Sequence, residues 1–313
     1  MSLLNNKFVK YGMSAALLLI IAGLPLFVDN YMLTVLQNAM FYMLLAMGLN
    51  IIVGYCGLCD LGYAAKFAIG AYTTGILIKS FGWNFWLTLP VSILVSVVFA
   101  VIIGAPTLKL RSDYLAIVTL GFAEIVRITV RNLEITGKAT GLTGISGTYL
   151  FGFHLKHISH WYYIFLALVI LFILISYRIR HSRFGRALAF IKEDEDAAQA
   201  MGVNTSLYKL YAYIIGAVLG GIAGSFFAVR MTSISPTSFD FTQSANILLA
   251  VILGGQGKIP GVIAGAAFFA VFPELFRDVP VVGDARMLFF GILLVVVMIT
   301  RPQGLWPDKR GLK

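Results

Sequence analysis

The amino-acid sequence predicts an all-α, polytopic membrane protein, and two features of its composition support this fold class. The apolar residues Ala, Val, Ile, Leu, Met, Phe, Trp, Tyr and Cys make up 59% of the 313 residues, whereas Asp, Glu, Lys and Arg make up 12%. Soluble domains carry about a quarter charged residues, so this chain has too few to cover a water-facing surface. The composition excludes a secreted domain, a cytosolic enzyme and a disordered chain.

A third observation is a series of apolar segments near the length of a membrane-spanning helix, which is about 20 residues. Ten segments follow one another along the chain, at 11–28, 33–53, 58–78, 86–108, 113–130, 161–177, 208–229, 242–253, 262–276 and 287–300. We therefore predict a single transmembrane domain over residues 1–313 with about ten spans. Several segments are rich in glycine, which favours broken helices.

The order of these spans predicts an internal repeat. Segments 33–130 and 208–300 each contain four spans, and the intervening chain makes them enter the membrane from opposite faces. This arrangement is typical of two inverted repeats, a common construction among transporters. The prediction is therefore two inverted four-helix repeats with a leading span and a linking span.

The distribution of positive charge predicts the orientation. The chain has 24 Lys and Arg residues against 14 Asp and Glu, a formal net charge of +10. With ten spans both termini lie on one side, and placing them in the cytoplasm puts most Lys and Arg residues in the inside segments. Cytoplasmic loops of membrane proteins are rich in these residues, so we predict cytoplasmic termini. The positive charge then requires no nucleic-acid partner.

The inside segment 184–204, FGRALAFIKEDEDAAQAMGVN, is predicted to form an amphipathic helix that ends before Gly202. Asp196-Ala197-Ala198 followed by Gly202 resembles the EAA loop of ABC importer permeases, with Asp in place of Glu. That loop implies contact with an ATPase, and an ordinary solvated loop helix is the alternative. The candidate coupling residues are Gly185, Arg186, Glu193, Asp194, Glu195, Asp196, Ala197, Ala198 and Gly202.

Four further segments carry a wider resemblance. They are GLCDLGYAAKFAIGAYTTGIL (57–77), RSDYLAIVTLGFAEIVRI (111–128), SPTSFDFTQSANILLAVILGGQGKIPGVIAGA (235–266) and RPQGLWP (301–307). In this order they resemble the LivM-type permease subunits of branched-chain amino acid ABC importers, a family that takes up hydrophobic amino acids.

The resemblance implies a function and a set of partners. The chain would form the membrane pathway together with a homologous second permease in the bacterial plasma (inner) membrane. One or two cytoplasmic ATPase subunits would bind ATP and Mg²⁺, and a periplasmic or lipid-anchored solute-binding protein would deliver the substrate. This chain itself would hold no cofactor and would not be an enzyme. Lipid surrounds the spans.

Glycines and ionisable residues within the apolar segments are candidates for the pathway. The glycines are Gly57, Gly70, Gly254, Gly255 and Gly257, for which tight helix packing is the alternative role. Glu124 and Arg127 are three residues apart on one helical face, and we expect an ion pair that fixes two helices. Lys66 replaces an aromatic residue usual in the family, and it would pair with Asp60 or Glu124 or attract an anionic substrate group.

Two cysteines and three histidines form weaker patterns, and the sequence also allows a second function. Cys56 and Cys59 have the spacing of a redox or zinc pair, but buried thiols are favoured because no second ligand pair accompanies them. His154, His157 and His160 are expected in a solvated loop, so no metal site is predicted. The alternative function is an ion-gradient-driven secondary transporter or channel for a small polar solute, driven through Lys66, Glu124 and Arg127.

Overall fold

The computed structural model describes residues 23–108, 112–146, 149–150, 153–155 and 157–275, with a few isolated positions beyond them. Most of the predicted first span, 11–28, lies outside the described residues. The predicted tenth span, 287–300, is described at isolated positions only. The termini lie outside the described residues as well.

The described chain is almost entirely helical. Its α-helices are α1 Asn30–Asn50, α2 Tyr63–Phe81, α3 Phe85–Thr107, α4 Ser112–Asn132, α5 Ile158–His181, α6 Arg183–Glu193, α7 Glu195–Ala200, α8 Thr205–Met231, α9 Phe241–Gly254 and α10 Ile259–Leu275. Helix α1 continues as a π-helical stretch, Ile51–Tyr55. Short 3₁₀ turns occur at Leu24–Leu26, Lys138–Thr140 and Pro236–Phe239.

Among the described residues, four two-residue strands form two small antiparallel ladders at one end of the bundle. Strand β1 (Leu142–Thr143) pairs with β4 (Ser233–Ile234), and β2 (Tyr149–Leu150) pairs with β3 (Phe153–His154). We call this the strand end, and we call the opposite end, where α6 and α7 lie, the α6 end.

Long apolar helices confirm the predicted fold class. The segments Asn30–Tyr55, Phe85–Thr107, Ile158–His181 and Thr205–Met231 are long and apolar enough to cross a membrane, while α9 and α10 are apolar but shorter. The chain is therefore an all-α polytopic membrane protein. Proline lies inside α3 at Pro90 and Pro106, which is tolerated in transmembrane helices where neighbouring groups satisfy the backbone.

Helix α8 lies at the centre of the bundle and packs against α1, α2 and α3. Its crossing with α2 is very close, because a Cβ on Gly70 would lie 2.0 Å from the Gly221 carbonyl oxygen. Small residues at such crossings allow the backbones to approach. The structure thus places Gly70 between two helices of the same chain, in the packing role that the sequence left open.

Two helices begin inside the bundle rather than at its ends. The Tyr63 hydroxyl, at the start of α2, donates to the carbonyl of Gly216, near the middle of α8, at 3.0 Å. The Ala64 amide donates to Ser244 Oγ near the start of α9 at 2.9 Å. The first turns of α2 and α9 therefore meet deep in the bundle. Half-helices of this kind occur at the binding sites of transporters.

The start of α2 corrects the predicted span 58–78. The chain after Gly57 is not helical until Tyr63. Gly57 adopts a positive φ of 76°, which breaks the helix that precedes it. The Asp60 carboxylate then accepts a hydrogen bond from the Gly62 amide at 3.0 Å, and this bond holds the non-helical turn that leads into α2. Apolar composition alone does not reveal such a turn.

Candidate functional site

The predicted coupling segment forms two helices where the sequence analysis expected one. Asp194 lies between α6 and α7 with extended backbone angles, φ −155° and ψ 110°. Its side-chain oxygen Oδ1 accepts a hydrogen bond from the Ala197 amide at 3.0 Å. Aspartate is a preferred N-cap residue because it satisfies an amide that the new helix leaves free. This cap ends α6 and starts α7.

Buried side chains anchor both helices to the bundle. Leu188 and Ile191 of α6 and Ala198 of α7 are buried. Glu195, the first residue of α7, forms an ion pair with Lys209 of α8. A Cβ on Gly185 would lie 2.2 Å from the Ile179 carbonyl oxygen, so glycine permits the tight turn from α5 into α6.

The outer side of the segment is exposed and carries both charge and apolar surface. Arg186, Glu193 and Asp196 are exposed, whereas Ala197 is partly covered. Gly202 follows α7 with φ +83°, and a Cβ there would meet no other atom within 4 Å. Sequence reasoning missed Phe190 and Met201, whose exposed fractions are 36% and 76%. An apolar residue in an amphipathic helix is assigned to its buried face unless the register is known.

The same segment contacts the first of two glycine-rich helix breaks, the one that follows α1. Lys192 Nζ of α6 donates to the Gly54 carbonyl at 2.9 Å, and burial lowers the pKa of this lysine. A Cβ on Gly57 would lie 2.9 Å from Lys192 Cγ. The Gly257 amide, in the turn between α9 and α10, donates to Asn50 Oδ1 at 2.8 Å. The breaks after α1 and α9 thus meet each other beside α6.

The other predicted glycines of the second break pack closely as well. Gly255 has φ +104° and Gly257 has φ +81°, so the turn uses conformations that favour glycine. A Cβ on Gly254 would lie 2.2 Å from the Gly261 carbonyl oxygen, and one on Gly304 would lie 2.5 Å from the Gly255 amide nitrogen. Asn50, Gly54 and Lys192 were missed, since no local motif marks contacts between distant segments.

Lys66 is buried and pairs with Asp60, one of the two carboxylates predicted as its partner. It forms an ion pair with Asp60, and the side chains are 5% and 0% exposed. The ammonium also lies 3.8 Å from the ring centroid of Tyr213 on α8, within the range of a cation–π contact. The adjoining cavity is about 10 Å³, which is at the lower limit of the space that one water molecule needs. In this conformation Lys66 therefore holds helices together and offers no room to a substrate.

Glu124 and Arg127 form the second predicted pair, and both belong to α4. Arg127 Nε donates to Glu124 Oε2 at 2.9 Å, so the pair joins residues of one helix rather than two helices. The side chain of Glu124 is 42% exposed and that of Arg127 is 21% exposed. Helix α4 also contacts α9 and the 3₁₀ turn Pro236–Phe239 that precedes it. Helix α4 thus presents charge beside the mid-bundle start of α9.

Comparison with known proteins identifies the family. A family described as "Branched-chain amino acid transport system / permease component" matches residues 31–298. The high-affinity branched-chain amino acid transport permease protein LivM of Escherichia coli (strain K12) is 39% identical, over 94% of this chain and 74% of that protein. This chain belongs to that permease family. It is a permease subunit of an ABC importer, a transport subunit and not an enzyme.

More distant relatives include other permeases of the same kind. The permease protein LivH of Escherichia coli (strain K12) is 23% identical to this permease, over 84% of the chain and 90% of the relative. The permease protein BraD of Pseudomonas aeruginosa is also 23% identical, over 84% of the chain and 91% of the relative. The match to both LivM and LivH supports a second, homologous permease as partner. No solved structure matches the chain.

The remaining sequence patterns in the permease are the two cysteines and the three histidines around the start of α5. Cys56 is buried next to the first helix break, and Cys59 is partly buried. The rings of His157 and His160 meet edge to face, with centroids 5.5 Å apart. The side chain of His154 is outside the described residues. Within the described ranges, no three His, Cys, Asp or Glu side chains form a group that could hold a metal ion.

Proposed function

We propose that this permease carries branched-chain and other hydrophobic amino acids through the bacterial inner membrane, with both termini in the cytoplasm. Its further partners are one or two ATPase subunits and an external solute-binding protein that delivers the substrate. The names and similarity of the relatives support the substrate class. The observation that carries the mechanism is that Lys192 of α6 donates to Gly54 at the first helix break, which in turn meets the second break through Asn50 and Gly257.

The exposed side of α6 and α7 is the surface that we assign to the ATPase. Phe190 and Met201 provide apolar contacts there, and Glu193, Asp194 and Asp196 provide charge. The buried side is fixed to the bundle by Leu188, Ile191 and Ala198. A displacement of the segment by the ATPase therefore acts on the bundle through fixed contacts, including the contact of Lys192 with the first break.

We assign the pathway to the face of α4 that carries Glu124 and Arg127, close to the starts of α2 and α9. Charged groups at membrane depth face water or protein because exposure to lipid is costly. The exposed fractions of 42% and 21% leave both side chains accessible to a pathway between two permeases. Movement of the breaks would shift α2 and α9, whose first turns lie beside this face.

The test is uptake by a reconstituted importer. The permease is expressed with its second permease, ATPases and solute-binding protein, and uptake of labelled leucine into vesicles is measured with and without ATP. We expect uptake that requires both ATP and the binding protein. Transport by this chain without ATP would support the alternative, an ion-gradient-driven transporter or channel that uses Lys66, Glu124 and Arg127.

A matched pair of variants tests the coupling segment. Gly202 follows α7 and Gly82 follows α2, both with positive φ and with open space where a Cβ would lie. Gly202→Val and Gly82→Val therefore impose similar backbone strain, about 1–2 kcal/mol. We expect Gly202→Val to uncouple ATP hydrolysis from uptake and Gly82→Val to leave coupling intact. Equal effects of the two variants would remove α7 from the ATPase contact.

A further inference from the structure

Two adjoining cavities open at the α6 end and share Arg180 at the end of α5. The first has a volume of about 420 Å³ and lies between α6 and the two helix breaks. Four basic side chains and one acidic side chain line it. They are Arg180, Arg186, Lys192, Lys258 and Glu193. This lining attracts an anion.

The second cavity, of about 820 Å³, runs between α5 and α10. Ile173 of α5 and Ile259, Pro260 and Ile263 of α10 give it apolar walls, and Arg180, His181 and Tyr177 lie at its charged end. Tyr177 and His181 are held together, since their ring centroids are 4.2 Å apart and His181 Nδ1 lies 2.9 Å from the Tyr177 carbonyl oxygen. An apolar groove thus leads into a basic cavity.

Both cavities lie where a membrane helix leaves the lipid. Helix α5 is one of the long apolar spans, and its last turn carries Arg178, Arg180 and His181. Basic pockets between transmembrane helices on the cytoplasmic side suit the head groups of anionic lipids. A soluble anion would fill the basic cavity but would leave the apolar groove without a partner.

We propose that these two cavities bind one anionic phospholipid, with its phosphate near Arg180 and Arg186 and an acyl chain between α5 and α10. The proposal rests on the proposed function in one respect, the assignment of the α6 end to the cytoplasmic leaflet. Arg186 donates to the His181 carbonyl at 3.3 Å, so it is already directed to the end of α5. The bound lipid would join α6 to α5 and α10 and would fix the coupling segment at the membrane surface.

Lipid retention by the full-length permease tests the site without any requirement for transport. The chain is purified in detergent, incubated with phosphatidylglycerol or with phosphatidylethanolamine of the same acyl chains, and analysed by native mass spectrometry. We expect selective retention of phosphatidylglycerol. Arg180→Gln and Lys258→Gln should each lower retention about fivefold, the factor that corresponds to about 1 kcal/mol per basic residue near the membrane.

Arg178→Gln is the matched control, because Arg178 is exposed in the same turn of α5 and lines neither cavity. Its retention should stay near that of the unmodified chain. Equal retention of the two lipids, or an equal loss in Arg178→Gln, would overturn the proposal. Displacement of the lipid by millimolar inorganic phosphate would overturn it as well and would indicate a soluble anion. Failure of leucine uptake would leave these results unaffected, so the two proposals fail separately.

Discussion

The two charged pairs within the predicted spans have opposite surroundings. Lys66 and Asp60 are almost completely buried, and Tyr213 covers the ammonium. Glu124 and Arg127 lie on one face of α4 with much of the carboxylate exposed. Both pairs satisfy the rule that charges inside a membrane domain are paired. Only the second pair remains available to a substrate or to another subunit.

The difference shows that depth in the membrane does not by itself indicate a role. The sequence marks Lys66 as a candidate functional residue because it is a lysine in the middle of an apolar segment. Its surroundings make it a structural group that links the start of α2 to α8. The sequence predicts that Glu124 and Arg127 neutralise each other, and they do so in the structure. Because their face of α4 is exposed, they are nevertheless the better candidates for the pathway.

The largest expected effect is at the buried pair. Lys66→Met leaves the Asp60 carboxylate buried without its cation, and removal of one partner of a buried pair costs about 3–5 kcal/mol. The double variant Asp60→Asn/Lys66→Met removes both charges and keeps an acceptor for the Gly62 amide. We expect a fall in the apparent Tm of about 10 °C for Lys66→Met and recovery of most of it in the double variant, measured by thermal unfolding in detergent.

The cation–π contact and the packing around Lys66 are alternative sources of this stability. If the single and double variants were equally destabilised, the loss would come from the cation–π contact with Tyr213 or from packing. Tyr213→Leu separates these causes because it removes the ring and keeps the ion pair. A loss in Tyr213→Leu as large as in Lys66→Met would contradict the central role of the ion pair.

Much of this architecture follows from the sequence. Hydropathy locates the spans because lipid requires about 20 apolar residues, and the glycines Gly57, Gly255 and Gly257 indicate the breaks because positive φ favours glycine. Sequence reasoning also named Asp60 as a partner for Lys66. It left Glu124 as an equal alternative, since only the non-helical turn before α2 brings Asp60 and Lys66 together.

Other features depend on contacts that no local pattern carries. The division between α6 and α7 is set by the side chain of Asp194, which caps a new helix, although its neighbours Glu193 and Glu195 both favour helix. The contact of Lys192 with Gly54 joins segments 138 residues apart. The inverted repeat stays a prediction. The start of α2 inside the bundle is evident only from the three-dimensional structure.

An intermediate effect is expected at the ion pair that anchors α7. Lys209 is 5% exposed, but its partner Glu195 is 41% exposed and stays hydrated when the cation is lost. Lys209→Met should therefore cost about 1.5–3 kcal/mol, the value of a hydrogen bond to a charged group. The measurement is thermal unfolding beside Lys66→Met. A destabilisation as large as that of Lys66→Met would show that exposure of the partner does not limit the cost.

A smaller effect on stability, with a large effect on transport, is expected at α4. Glu124→Gln should change the free energy of unfolding by less than about 1 kcal/mol, as for other solvent-accessible pairs. It leaves Arg127 without its partner on the proposed pathway face, and we expect ATP-dependent uptake to fall about tenfold, a change of about 1.4 kcal/mol in the barrier. The exchange Glu124→Arg/Arg127→Glu keeps a pair and should restore part of the uptake. Unchanged uptake in Glu124→Gln would remove α4 from the pathway.

The smallest effect is expected at the pair between Glu134 and Lys138 in the loop after α4. Their side chains are 87% and 59% exposed, so water replaces the lost partner. Glu134→Gln avoids Lys138, whose φ of 54° would complicate a substitution there. The apparent Tm should shift by less than about 1 °C, because exposed pairs contribute little. If the shift is this small, the loss of stability decreases from Lys66→Met to Glu134→Gln in the same order as the burial of the ion pairs. A loss of uptake in Glu124→Gln at nearly unchanged stability then reflects the position of α4 and not the removal of an ion pair.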